Sequence, residues 1–150
     1  MRTRVGILVV MLLAGGMAVA QSNEVVDEIL ASDSVTFGQA AYMVFLAADE
    51  APDDASVEEV YRDIEWSQWN LKEKSMDDPV RLGEVSYLLM ENLGIRGGLM
   101  YRMIPGPRYA ARELDYLEFL LGNDSPYRSV SGRELLHVIG QALEYTEEDA

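Results

Sequence analysis

Val35-Thr36-Phe37-Gly38-Gln39-Ala40-Ala41-Tyr42-Met43-Val44 aligns without gaps to Val80-Arg81-Leu82-Gly83-Glu84-Val85-Ser86-Tyr87-Leu88-Leu89 and to Val130-Ser131-Gly132-Arg133-Glu134-Leu135-Leu136-His137-Val138-Ile139. Each copy opens on Val, carries Gln or Glu four residues later and then runs apolar. The copies begin 45 and 50 residues apart. A spacing of this size marks an array of one supersecondary unit whose copies bury their apolar faces on one another. Such arrays build binding surfaces and scaffolds rather than catalytic pockets.

Working outward from the three phrases, the intervening sequence also reads as helix and loop. Asn23-Glu24-Val25-Val26-Asp27-Glu28-Ile29-Leu30 predicts a short amphipathic helix with Asn23 as N-cap. The first phrase predicts a helix over 34–48, with Thr36 and Gln39 at capping-box spacing. Asp49 to Ala55 is a polar loop. Ser56 and Glu59 form a second capping box, opening a helix with apolar positions at Val57, Val60, Tyr61 and Ile64 that Ser75 to Pro79 breaks. The second phrase carries a helix to about Leu93, ended by Gly94. The mixture of Gly, Pro and Arg from Ile95 to Tyr109 forbids a continuous helix. Ala110 to Leu121 resumes helical spacing through Leu114, Leu117 and Leu121. The third phrase, capped by Ser131 with Glu134, predicts a helix to about Tyr145 and a frayed acidic tail over 146–150. No segment alternates with period two, so the expected fold class is all-α.

The chain begins with Arg2 and Arg4, an apolar run from Val5 to Ala14, and the small-x-small site Ala18-Val19-Ala20. This is the pattern of a secretory signal peptide over 1–20, which predicts export to the periplasm or cell surface. No Cys follows, so no lipobox is present. No later stretch approaches the ~20 apolar residues of a membrane span. Loss of Arg2 and Arg4 leaves 10 basic side chains against 26 acidic, moving the net charge from −14 to −16. A field of that sign repels nucleic acid and other polyanions. With no Cys in the sequence, thiol chemistry, disulfides and Cys-based metal sites are excluded, and a single domain over 21–150 must hold by burial.

A second internal match accompanies the phrases. Tyr61-Arg62-Asp63-Ile64 precedes Trp69 by the step that separates Tyr101-Arg102-Met103-Ile104 from Tyr109. Both read aromatic, Arg, x, Ile, four residues, aromatic. A unit then consists of an aromatic-x-x-Ile lead-in, a second aromatic opening a helix, a loop and the phrase helix. This layout resembles the S-layer homology (SLH) domain, whose units carry Phe-x-Asp-Val, then Trp-Ala at a helix start, then Thr-Arg-Ala-Glu at the next helix. Tyr61 to Ile64 with Trp69 fits the lead-in, as does Tyr101 to Ile104 with Pro105 and Tyr109-Ala110. Gln39, Glu84 and Glu134 fit the last motif position. The resemblance spans roughly residues 23–145. It implies short helices in three SLH-like helix-loop-helix units (about 23–48, 56–95 and 99–145) forming one compact bundle with grooves between neighbours. The family's motif Arg, part of its grip on anionic wall polysaccharide, falls on Phe37, Leu82 and Gly132, so no copy keeps it. The motif Thr is Arg81 in the second unit.

Each side chain that invites a chemical role has a structural reading beside it. His137, the lone His, corresponds to Tyr42 and Tyr87, which makes the position a packing site with a polar tip. Gln39, Glu84 and Glu134 stand where a helix cap is expected. Asp53-Asp54, Asp77-Asp78 and Glu147-Glu148-Asp149 lack the loop pattern of an EF-hand and read as solvated acidic surface. No carboxylate pair is singled out for glycoside hydrolysis, and no nucleophile motif is present. Neither catalytic nor metal-ligating residues are assigned, and no cofactor is expected. Trp66 and Trp69 are three apart and so would share one helical face; Trp69 aligns with Tyr109 and reads as core packing, whereas Trp66 has no aromatic counterpart and is the surface candidate. The stretch between the second and third phrases is the functional candidate. Arg96, Tyr101, Arg102, Arg108 and Tyr109, with Arg112 just beyond, concentrate the residue types favoured at interaction hot spots, and Met100 and Met103 adapt to a partner. The expected function is a non-enzymatic exported binding or scaffold module of the envelope, contacting an envelope protein or cell-wall polymer through Arg96, Tyr101, Arg102, Arg108, Tyr109 and Trp66. The alternatives are a small envelope hydrolase using carboxylates, and SLH-type retention on wall glycan.

Overall fold

The structure, a computed structural model, describes residues 24–148. The signal-peptide reading of 1–20, the proposed Asn23 cap, Asp149 and Ala150 lie outside the described residues. The fold is all-α, with two isolated antiparallel bridges, Thr36 to Pro79 and Arg81 to Ser129. Helix α1 spans 24–31. It is followed by α2 (Phe37–Ala47), α3 (Val57–Arg62), a 3-10 turn (Trp66–Gln68), α4 (Leu82–Asn92), α5 (Leu99–Met103), α6 (Pro107–Tyr116) and α7 (Gly132–Glu148).

The phrases start α2, α4 and α7, and their openings meet. Val35, Val80 and Val130 are completely buried. The Val35 N–H donates to Val130 O and the Val80 N–H to Val35 O, both at 2.9 Å. A further set of bonds lies two residues on. Phe37 N–H donates to Asp78 O (2.8 Å), Leu82 N–H to Arg128 O (2.9 Å) and Gly132 N–H to Ser32 O (2.9 Å). These links run from the first phrase to the approach of the second, from the second to the third, and from the third back to the first. Helix N-termini leave donors without intrahelical partners; here neighbouring backbone satisfies them, which lets the three starts be buried together.

That closeness explains the small residues. A Cβ on Gly132 would stand 1.5 Å from Ile29 O at the end of α1, and one on Gly83 would stand 2.9 Å from Pro107 O. Helix α4 is the central element, with Leu82 to Met90 buried except for Glu84. It packs on α6, α2 and α7, while α3 packs on α2. Phe37, Leu82, Leu88, Leu89, Leu114 and Leu135 fill the core.

Capping follows the sequence in part. Thr36 and Gln39 form a reciprocal box: Thr36 N–H donates to Gln39 Oε1 (3.1 Å) and Gln39 N–H to Thr36 Oγ1 (3.3 Å). Ser56 and Glu59 form another. At α4 only half a box exists, because Arg81 offers no acceptor: Arg81 N–H donates to Glu84 Oε2 (2.8 Å), which also accepts from Lys74 Nζ (3.0 Å). At α7 the Glu134 N–H donates to Ser131 Oγ (3.3 Å), but the Glu134 carboxylate turns to Arg128, which donates to it through both terminal nitrogens (2.7 and 2.5 Å).

Three helix boundaries differ from expectation. The helix opening at Val57 ends at Arg62, and Trp66 lies in a separate 3-10 turn, so Trp66 and Trp69 do not share an α-helical face. Helix α6 begins at Pro107, a residue pre-set for the first helical position, and ends at Tyr116 rather than Leu121. There Glu118 takes φ 62° and Phe119 N–H donates to Leu114 O (2.9 Å), a Schellman ending formed without glycine. Helix α7 continues through the predicted tail to Glu148.

Candidate interaction surface

The stretch between the second and third phrases folds into two short helices with different tasks. Gly94, at φ 65°, ends α4 in a Schellman turn closed by Ile95 N–H to Met90 O (2.9 Å). The chain reverses through Gly97 and Gly98 into α5, breaks at Ile104 to Gly106, and starts α6 at Pro107. Helix α6 lays Ala110, Ala111 and Leu114 against the core. Helix α5 is anchored by one buried side chain, Tyr101. Its hydroxyl donates to Glu91 Oε1 at 2.5 Å, and its ring stands 6.3 Å from Tyr87, which in turn packs edge-on to Trp69 at 6.0 Å. Asn70 Nδ2 donates to Pro105 O (2.6 Å) and pins the break between the helices.

With Tyr101 holding one side, the rest of α5 faces outward. Leu99 is 68% exposed, Met103 67%, Met100 56% and Ile104 56%. These are four of the eight large apolar side chains exposed among the described residues. Ile104 is the telling one. Its repeat counterpart Ile64 is buried in the core, so the same repeat position is core in one unit and exposed in the next. Arg96, Arg102, Arg108 and Arg112 are all exposed on the same two helices and their approach. The ion pairs among the described residues are Lys74 with Glu84 and Arg128 with Glu134, so none of these four arginines is paired.

Two cavities open here. One, of about 550 Å3, is lined by Glu91, Ile95, Arg96, Tyr101, Arg102 and Pro105. The other, of about 480 Å3, is lined by Arg108, Arg112, Asp124, Pro126 and Tyr127. Each has a single carboxylate, so neither offers the acid pair a glycosidase requires.

The structure divides the sequence-predicted site residues. Arg96, Arg102 and Arg108 are exposed; Arg96 and Arg102 line one cavity and Arg108 lines the other. Tyr101 is a buried floor rather than a contact group, because its hydroxyl is taken by Glu91. Tyr109 is half-buried and packs on the core. Trp66 is half-buried too; its ring stacks on Phe37 at 5.3 Å and meets Tyr61 edge-on at 6.1 Å, and it lines neither cavity. Sequence reasoning assigned Trp66 to the surface because its repeat counterpart is Gly106, but core aromatics need no counterpart. It missed Leu99, Ile104 and Tyr127, whose exposure no periodicity signals. His137 is half-buried beside the third phrase's core, while Tyr42 and Tyr87 at its repeat positions are buried.

Burial, then the Glu91 carboxylate, pushes the Tyr101 hydroxyl far above its ordinary 10.0. Tyr87 shifts the same way, mainly through burial. A raised folded-state value means the neutral form is favoured by folding. That stability is complete well below pH 10 and falls once the unfolded chain ionises while the fold cannot, by about 1.4 kcal/mol per pH unit for Tyr101. Stability measured by urea denaturation therefore stays flat from pH 8 to 9.5 and drops above 10, and Tyr101→Phe reduces the slope of that drop.

Comparison with protein-family models, curated proteins and solved structures finds no match to this chain. No helix among the described residues is long and apolar enough to cross a membrane.

Proposed function

We propose that this chain is an exported, non-catalytic binding module of the cell envelope that engages a protein partner through the α5–α6 face. One observation carries the reading: four exposed apolar side chains, Leu99, Met100, Met103 and Ile104, lie in the same short stretch of chain as four exposed arginines that form no ion pair among the described residues, in a chain of net charge −14. Isolated apolar side chains on a surface are ordinary; a cluster rimmed by polar groups marks an interaction site. Methionine adapts its shape, and arginine supplies directional donors. Local positive charge within an acidic molecule selects a partner segment with an apolar anchor and acidic flanks, and the overall field disfavours polyanions.

The closed set of backbone links among the three phrase openings supports treating the chain as three SLH-like units. The family's motif arginine has no equivalent, since Phe37 and Leu82 are core residues and Gly132 is in backbone contact with α1. A second reading, retention on an anionic envelope polymer, draws on the cavity where Arg108 and Arg112 face Tyr127.

The test is Arg102→Ala with Arg108→Ala. Neither side chain forms an ion pair, so helical circular dichroism stays at the wild-type level. Capture of the envelope partner on immobilised protein falls at least tenfold, about the loss of one hot-spot side chain. Collapse of the fold, or undiminished capture, contradicts the proposal. Retention on purified cell wall at low salt, lost in the same variant, favours the polymer.

A further inference from the structure

Asp53-Asp54 and Asp77 are far apart in the chain, yet the fold brings them to one cavity of about 460 Å3 lined from α1, α2, the start of α3 and the loops beside them. Glu28 and Glu58 extend the acidic lining, and no Lys or Arg among the described residues contributes to it. None of these carboxylates forms an ion pair among the described residues. Gln39 Nε2 donates to Glu28 Oε1 (3.2 Å), fixing one wall.

Tyr42 also lines this cavity. It is 2% exposed, and its hydroxyl has no hydrogen-bond partner among the described residues. No buried side-chain polar atom there is sealed off without a partner, so this hydroxyl retains access through the cavity. Tyr42 and Asp53 share this lining; burial raises the phenol's pKa, and the Asp53 carboxylate raises it further.

The carboxylates are spread rather than focused. No three acidic side chains converge as metal ligands among the described residues, whereas a calcium ion needs six to eight oxygens around one point. A cation extended over several bonds, with donors at intervals, fits a dispersed set. Ammonium groups also gain from charge-assisted bonds to carboxylates and from an aromatic ring beside them.

We propose that this cavity binds an organic polycation, the ammonium groups of a free oligoamine or of a lysine-containing peptide segment, through Asp53, Asp54 and Asp77 with the hydroxyl of the lining residue Tyr42. The site shares no lining residue with the α5–α6 face and stands independently of the function proposed for that face.

Isothermal titration calorimetry on the full chain, with spermidine and separately with tetralysine at fixed ionic strength, tests it. The expected result is saturable one-to-one binding of at least one probe. Preference for spermidine indicates a free oligoamine, and preference for tetralysine a peptide. Asp53→Asn with Asp54→Asn weakens binding about tenfold or more. Tyr42→Phe, which keeps the ring and its packing, weakens it severalfold. Glu147→Gln with Glu148→Gln, on the far end of α7, leaves it unchanged. Absence of saturable binding to both probes overturns the proposal. So does equal weakening by the α7 variant, which would make the effect one of overall charge. Saturable calcium binding lost in the Asp53/Asp54 variant also overturns it.

Discussion

Gly132→Ala is expected to lower the stability of the fold by about 4 kcal/mol, the upper end for a single substitution. The new Cβ would occupy a point 1.5 Å from Ile29 O, and its nearest neighbours are backbone atoms of Ile29 and Leu30 rather than the end of a flexible side chain. No rotamer relieves the clash. The start of α7 must move off α1, which also breaks the Gly132 N–H to Ser32 O bond of 2.9 Å and uncovers the buried Val130 and Ile29. Urea denaturation measures the loss. Gly140→Ala in the same helix is the matched control. A Cβ there meets nothing within 4 Å, so Ala gains about 0.5–1 kcal/mol from its helix propensity. Equal effects at the two positions would contradict the close docking of α1 on α7.

The second large effect is expected at Arg128. Its guanidinium holds Glu134 through two bonds, its Nε donates to Asn123 O (2.8 Å), and its own carbonyl accepts the Leu82 N–H. Arg128→Met keeps the aliphatic stem but leaves the buried Glu134 carboxylate alone at the junction of the second and third phrases, at a cost of about 2–4 kcal/mol. Adding Glu134→Leu removes the orphaned charge and recovers most of that loss, because a buried ion pair gives little net stability over apolar packing. Additive losses in the double variant would show that the two side chains act separately.

Much of this architecture is legible in the phrases. Position one is Val in each copy because the three openings share one buried junction. The Gly at position four of the second copy and at position three of the last reflects the close approach of backbone or proline, and the Gly at position four of the first copy reflects the Met76 side chain packed against it. The capping reading of Gln39 holds because Thr36 can accept a bond. The same reading fails halfway at Glu84, where Arg81 cannot accept, and at Glu134, which a distant Arg captures. Such tertiary competition leaves no trace in local spacing. The end of α6 was hidden for a similar reason. Glu118 adopts a left-handed conformation that sequence rules assign to Gly or Asn, and the buried Phe119 beyond it holds it there. The candidate surface was half legible. Clustered arginines in an acidic chain are visible in one dimension. The division of labour between Tyr101, turned in to Glu91, and Leu99, Met103 and Ile104, turned out, depends on which side of a five-residue helix meets the core. The convergence of Asp53, Asp54 and Asp77 depends on tertiary structure altogether.

The central claim is that the outward side of α5 is a contact surface. A photo-cross-linking amino acid placed at Met103, with the protein produced and irradiated in its native envelope, tests it most directly. The account predicts a discrete cross-linked species, identifiable by mass spectrometry, that disappears when Arg102 and Arg108 are replaced by Ala. The same probe at Glu147 gives none. Cross-links equal in pattern and yield at the two positions, or insensitive to the arginine substitutions, would contradict it.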